Sequence, residues 1–596
     1  MLRETTFVFL VFLPLGKEAV PLKRLLVYLT HYKKECVIAP AFKMLEALFD
    51  LFVPLVMANI IDVGIPAGDT GYILRRAALL VLLGLVGLGC SIVAQYYAAR
   101  AAVGFSAGVR RALFQHIQRL SVAQLEQEGA ATLITRMTSD VNQTQNGVNM
   151  VLRLFLRSPF IVLGSLVMAF TIDLRAALIF AGAIPLLFLI VFGVMALTVP
   201  GYRRVQDRLD GVMRLTRENL TGVRVVRAFG READEQQRFQ TANRALNAAQ
   251  QRVGRISSLM NPLTYVVVNL AVVAILYSGA LSIQVGSLQQ GDVIALVNYM
   301  SQVLVELVKL ANLVVLVTRS LASASRIAAV LDITPEEGGG QAVPDTGAAE
   351  AVSFQDVGMA YPGSGEESLS HVTFTAQRGQ TIGVIGGTGS GKSTLVSLIP
   401  RLYDCTSGVV KVFGRDVADY DPEQLRRSVG MVPQRARLFS GTIRSNLCFG
   451  VPDATDQALW QALEAAQCAD VVRAKPRGLD EPVEQGGRNF SGGQRQRLTI
   501  ARALVGHPSI LILDDSASAL DYATDAALRR SLAALPDKPT VFIVSQRVSS
   551  LQHADLILVL DDGSVVGMGT HSQLLEDCPV YREIYESQFK RGGEAG

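Results

Sequence analysis

The chain has 596 residues, half of them hydrophobic, 18% charged, and a formal net charge of only +4. Its mean hydropathy of +0.32 is too high for a purely soluble protein, and its length too great for one domain. The near-neutral balance leaves no basic footprint, so nucleic acid is not an expected partner. Six cysteines, at 36, 90, 405, 448, 468 and 578, form no C-x-x-C pair. They suggest neither a disulfide framework nor a metal site, and four fall in the second half, as suits a cytosolic portion.

Residues 7–16 are an apolar run too short to span a bilayer, with no A-x-A-type cleavage site after it. They read as a short interfacial piece or as an extension outside the folded protein. Leu22–Tyr32, carrying Lys23 and Arg24, reads as an amphipathic helix on the membrane surface. Six segments near 38–63, 77–99, 155–172, 175–199, 261–283 and 292–317 are each about as long and apolar as a membrane span requires. The connections on one side are long and rich in arginine, Arg203, Arg204 and Arg208 among them. The opposite loops, 64–72 and 284–290, have no Lys or Arg. The positive-inside rule therefore places the long connections, the N-terminus and the second half in the cytoplasm; Arg75 and Arg76 are a minor violation. Helical spacing over 107–125 and 203–251 predicts that spans 2 through 5 continue as helices past the bilayer. Each pair would turn at a short exposed helix, one within 121–135 and one within 218–230.

Lys43, Glu46 and Asp50 share one face of the first span, and Glu306 and Lys309 lie three apart in the sixth. Intramembrane charges default to a cavity or pathway, and Glu46, Asp50 and Glu306 would give an acidic lining suited to amphipathic cations. The alternative is that Lys43 lies near the cytoplasmic end and Glu306–Lys309 satisfies itself.

Pro, Gly, Glu and Ala dominate 332–350, a linker. The expected domains are an N-terminal extension and interfacial helix (1–36), a six-helix transmembrane domain (37–331), the linker (332–350) and an α/β domain (351–590) with short apolar strands alternating with helices. Within it, Gly386-Gly387-Thr388-Gly389-Ser390-Gly391-Lys392-Ser393-Thr394 fits G-x-x-x-x-G-K-[ST], between a strand at 381–385 and a helix from 395. Glycines let consecutive backbone N–H groups turn in on phosphate oxygens, Lys392 reaches the β/γ-phosphates, and Ser393 can ligate Mg²⁺. Ile510–Leu513 is a buried strand ending in Asp514-Asp515, and an acid there holds Mg²⁺ beside a P-loop. Ser491-Gly492-Gly493-Gln494 opens an amphipathic helix with a hydroxyl and two bare glycines, an anion-binding N-terminus.

These motifs, in this order after six spans, resemble an ATP-binding cassette (ABC) half-transporter of the exporter type, over nearly the whole chain. The fold implied is a bundle of six long transmembrane helices followed by an α/β P-loop ATPase with a helical subdomain. The resemblance implies ATP and Mg²⁺ as cofactors, adenine stacking by Tyr361, a Q-loop glutamine at Gln434 joining Mg²⁺ to the transmembrane interface, and a D-loop at Ser518-Ala519-Leu520-Asp521. In the family each ATP lies between one subunit's P-loop and the other's signature, here Ser491–Gln494. Glu218–Glu232 is similar to the coupling segment of bacterial multidrug exporters. Two positions depart from the family pattern. Asp515 stands where a glutamate polarises the attacking water, and Gln546 stands where a histidine contacts the γ-phosphate. A shorter acid and an amide without titratable charge predict a site that binds ATP and hydrolyses it poorly. An intact signature beside a weak P-loop site predicts a heterodimer with a second half-transporter, in a bacterial cytoplasmic membrane, exporting small amphipathic drugs or lipids. A peptide exporter half, or a non-transporting regulator or channel of the same type, are the rival readings.

Overall fold

The computed structural model describes residues 25–335, 347–516 and 520–589. The N-terminal extension to residue 24, most of the expected linker, and Ser518 and Ala519 lie outside the described residues. The chain divides into two compact units, residues up to 118 with 131–333, and 119–130 with 334 onward.

The first unit is helical, with six helices among the described residues long and apolar enough to cross a membrane. We label their main segments α1 (Lys33–Asn59), α2 (Thr70–Ile117), α3 (Arg157–Ile172), α4 (Leu174–Thr221), α5 (Met260–Gln284) and α6 (Gln290–Leu331). Turn chemistry sets the outer ends. Gly68 adopts φ +61 after α1, and the Asp69 and Asp173 carboxylates cap α2 and α4 by accepting from Tyr72 N and Ala176 N at 2.9 Å. At ~1.5 Å per residue the 48 residues of α2 extend about 72 Å, more than twice the ~30 Å hydrocarbon core. The same holds for α4, and the helix Glu232–Ser258 leads into α5. The spans thus continue well beyond a bilayer.

A stripe of Ala94, Ala98, Ala101 and Ala102 is buried along α2, and small side chains allow close helix approach where lipid gives no hydrophobic drive. Residues 25–32 are helical and bury Leu25 and Leu29. A Cβ at Gly104 of α2 would fall 2.0 Å from the Tyr32 ring. This part of the expected interfacial helix is therefore seated on protein. Phe180, Leu187, Ile275, Leu296 and Met300 fill the core between α4, α5 and α6, and the Tyr299 hydroxyl donates to Leu51 O at 2.5 Å.

The second unit carries a six-stranded sheet of β1 (Thr381–Gly386), β2 (Val429–Val432), β3 (Ile510–Asp514), β4 (Thr540–Val544), β5 (Leu556–Asp561) and β6 (Ser564–Gly569), in the order β6-β5-β1-β4-β3-β2. All neighbours are parallel except β5 and β6. Parallel strands are buried on both faces, which is why they read as unbroken apolar runs. In β3, Ile510 and Ile512 enter one core, whereas Leu511 and Leu513 enter the other. The first core lies against an antiparallel sheet of Glu350–Met359, Leu369–Gln377, Ser407–Val412 and Arg415–Asp416, with Phe354 stacked on Phe374 at 4.7 Å. The second holds the helical subdomain, through Leu459, Leu463, Leu498 and Ile500.

Both expected tips are short helices. Val122–Glu128 belongs to the second unit and opens with a Ser121–Gln124 capping box. Val223–Ala228 belongs to the first.

Candidate nucleotide site and transmembrane ion cluster

The strand order builds the nucleotide site. β1 ends in the P-loop, β3 in Asp514-Asp515, and β4 lies between them, so three strand tips converge at the carboxyl edge of the sheet, where α/β folds bind ligands. The loop needs its glycines. Gly391 takes φ +89, and a Cβ there would meet Ser368 O at 2.5 Å; one at Gly386 would meet Leu560 O at 2.1 Å. Gly387, Thr388 and Gly389 are exposed and Ser390 is buried. The helix α7 (Lys392–Leu398) follows.

The Lys392 ammonium donates to Gly386 O at 3.0 Å and to Gly387 O, with Ser390 Oγ at 3.3 Å. Burial pulls it below the ordinary lysine range, while Asp515 and Asp514 push it back. An anion in the loop would favour the charged form of Lys392 further. Ser393 Oγ donates to Asp514 Oδ1 at 2.9 Å. Burial raises the Asp514 carboxyl, and the neighbouring Asp515 adds to this against the pull of Ser393 and Lys392. A hydroxyl and a buried carboxylate thus converge, with the Gln434 amide close by, since Gln434 Nε2 donates to Asp515 Oδ2 at 3.3 Å. This set of hard oxygen donors beside the acid pair fits Mg²⁺.

Asp515 has φ +44, and its N–H donates to Val544 O at 3.0 Å. Tyr361 is half-buried, its hydroxyl 3.0 Å from Thr394 Oγ1 and its ring edge-on to Tyr403. Gln546 is exposed in the turn after β4. Ser491 caps α8 (Gly492–Leu504) through a capping box with Gln494, and Ser491 and Gly492 are exposed. Asp521 caps α9 (Tyr522–Ala533), where the Thr524 N–H holds its carboxylate below the usual range. The structure therefore gathers the P-loop, Asp514, Asp515 and Gln434, and leaves the signature facing outward.

Sequence reasoning missed two groups. Tyr403 donates its hydroxyl to Glu126 Oε2 of the first tip helix at 2.8 Å, and Gln124 Nε2 donates to Thr334 O at 2.8 Å. The other is Arg157, which the sequence places at the edge of a cytoplasmic connection. It opens α3 nearly buried and binds Asp50 Oδ2 at 2.9 Å and Glu306 Oε1 at 2.7 Å. Ser158 Oγ donates to Glu306 Oε2 at 2.7 Å and Lys309 Nζ to Oε1 at 2.9 Å. Lys43 holds Glu46 at 2.6 Å. The expectation of an acidic lining is corrected accordingly: Lys43, Arg157 and Lys309 match Glu46, Asp50 and Glu306 one for one, because a buried carboxylate in an apolar bundle is held by a cation. Asp50, Arg157, Glu306 and Lys309 line a cavity of about 420 Å³ with apolar walls at Val53, Met57 and Ile161; Glu46 is not on it. An arginine opening an otherwise apolar span was the available signal.

A helical membrane unit joined to a P-loop ATPase unit defines the class. Residues 36–307 match the ABC transporter transmembrane region and 369–518 match the ABC transporter family. The chain is 39% identical to an uncharacterized ABC transporter ATP-binding protein of Mycobacterium tuberculosis, over 94% of this chain and 97% of the relative. It is 36% identical to another from Bacillus subtilis, over 96% and 99%, and 29% identical to an ATP-dependent lipid A-core flippase of Vibrio vulnificus, over 96% and 98%. A bacterial Atm1-family ABC exporter with ATP bound has the same fold, with TM-score 0.77 at 23% identity, over 94% of this chain and 98% of that one. The chain belongs to the ABC transporters, with the transmembrane region and the ATP-binding domain fused in one polypeptide of the exporter-type fold. It is a multi-pass membrane protein that binds ATP to drive transport.

Proposed function

We propose that the chain is the hydrolytically weak half of a heterodimeric exporter of amphipathic drugs or lipids in a bacterial cytoplasmic membrane. The observation that carries this is Asp515 at the tip of β3, one methylene shorter than the family's glutamate, with Gln546 in place of histidine on the neighbouring turn. A general base must come within hydrogen-bond reach of its proton. Here the shorter acid is engaged by Gln434 at 3.3 Å.

In this reading Lys392 and the loop N–H groups hold the ATP phosphates, Tyr361 lies against adenine, and Ser393, Asp514 and Gln434 hold Mg²⁺. Magnesium, when bound, neutralises phosphate charge. Gln434 ties Asp515 to that donor set, and Gln546 offers the γ-phosphate a neutral hydrogen bond. Ser491, Gly492, Gly493, Gln494 and Asp521 complete the site of the second half-transporter, where most turnover occurs. Further support for a partner comes from exposed apolar side chains at Leu220, Val225 and Phe229 around the second tip helix, which water disfavours and a second subunit would cover. The cavity in the first unit, apolar-walled with balanced charge, suits an amphiphile better than a simple cation.

The test is to purify the chain alone, reconstitute it in lipid, and measure ATPase activity. Low turnover that rises when a second half-transporter from the same membrane is co-assembled is expected. Brisk hydrolysis by the lone chain, from two equal sites, would overturn the proposal.

A further inference from the structure

The turn that carries Gln546 is gripped by the far end of the chain. Gln588, in the helix Pro579–Phe589, donates from Nε2 to the Gln546 carbonyl at 2.7 Å, and its Oε1 accepts from the Val548 N–H at 3.0 Å. One side-chain amide thus satisfies an acceptor and a donor two residues apart, as a paired strand would. The helix bearing Gln588 is anchored. Tyr581 is fully buried, its hydroxyl lies 2.7 Å from His571 Nδ1, and Tyr585 is close to both His571 and Phe589. The opposite side of the turn is held as well. Ser545 N donates to Val384 O at 3.1 Å, Arg547 lies over the Tyr522 ring at 5.1 Å, and Arg529 Nη1 donates to Ser549 O at 3.1 Å. Between these anchors Gln546 is exposed, on the turn that follows β4 and so between the P-loop and the acid pair.

We propose that Gln588 is a positioning residue of the nucleotide site. Its amide clasps the turn after β4 and sets where Gln546 is presented, so the C-terminal helix controls how well this site distinguishes ATP from ADP. This rests on the reading that Gln546 acts at the γ-phosphate end. Gln588→Glu keeps the length and the acceptor for Val548 N, but sets a carboxylate against the Gln546 carbonyl, where two acceptors repel. Gln588→Ala removes both bonds. Neither disturbs the buried Tyr581 anchor, so the melting temperature should hold.

The experiment uses the full chain in lipid nanodiscs, with fluorescent ATP and ADP analogues as the probes and a melting curve for each variant. Both Gln588 variants should bind the ATP analogue roughly 3- to 10-fold more weakly, the size expected for one or two lost hydrogen bonds, with ADP affinity unchanged. Gln546→Ala should do the same, and adding Gln588→Ala to it should have no further effect. Equal weakening of ATP and ADP, a fall in melting temperature without loss of discrimination, or additive effects in the double variant would each overturn the proposal. If Gln546→Ala changes discrimination and the Gln588 variants do not, the clasp fails while the reading of Gln546 stands. If Gln546→Ala is silent, that reading fails and the clasp with it.

Discussion

Restoring the longer acid tests the weak-site argument most directly. Asp515→Glu adds one C–C bond of ~1.5 Å to the carboxylate's reach. Misplacing a catalytic group by about 1 Å can cost on the order of 100-fold, or ~2.7 kcal/mol of barrier. The same step in reverse should raise turnover at this site by 10- to 100-fold, by that estimate. A backbone cost opposes it. Asp515 has φ +44, a left-handed conformation that costs ordinary residues roughly 1–2 kcal/mol and that aspartate tolerates better. Glutamate should therefore lower stability by about 1 kcal/mol or less, too little to unfold the unit and smaller than the catalytic gain. Gln434, now 3.3 Å from the carboxylate, must move aside, and its amide can do so by rotation. The assay is steady-state ATP hydrolysis by the assembled transporter, with the partner's own site blocked by a substitution, comparing wild type, Asp515→Glu and Asp515→Glu with Gln546→His. Unchanged hydrolysis in both variants, with ATP still bound, would refute the reach argument.

Further outcomes follow from other contacts. Arg157→Ala takes the cation from Asp50, which is part-exposed, while Glu306 keeps Lys309 and Ser158. The membrane unit should therefore lose about 1–3 kcal/mol, less than a fully stranded buried charge would cost, and detergent-melting curves report it. Lys309→Gln leaves Glu306 its Arg157 and Ser158 partners, so the fold should persist while export of zwitterionic dyes from vesicles falls more than export of neutral ones. Tyr403→Phe removes the hydrogen bond to Glu126, worth about 0.5–1.5 kcal/mol. Substrate stimulation of ATPase activity should drop a few-fold while basal activity holds. Chelating Mg²⁺ with EDTA should abolish hydrolysis and weaken retention of ATP, and Asp514→Asn should weaken the response to added Mg²⁺ in nucleotide binding.

The sequence by itself determined what depends on neighbours in the chain. The spans could be read because a bilayer demands some 20 apolar residues in a row, and the strands because burial on both faces removes polar alternation. The P-loop could be read because its glycines, lysine and serine are contiguous, and the tips because helical spacing runs on past the spans to either side of them. The departures at Asp515 and Gln546 were visible for the same reason, lying beside motifs that identify themselves. Tertiary structure decided what depends on distant residues meeting. Arg157, at the start of the third expected span, had no visible partner until α1, α3 and α6 brought Asp50 and Glu306 to it, 107 and 149 residues away. Gln588 looked like an ordinary polar residue near the C-terminus until β6 and the helices after it returned the chain to the turn after β4. Local propensity carries no information about such meetings, since they are set by strand order and helix packing, and it is through them that charge is neutralised and a loop is held in place.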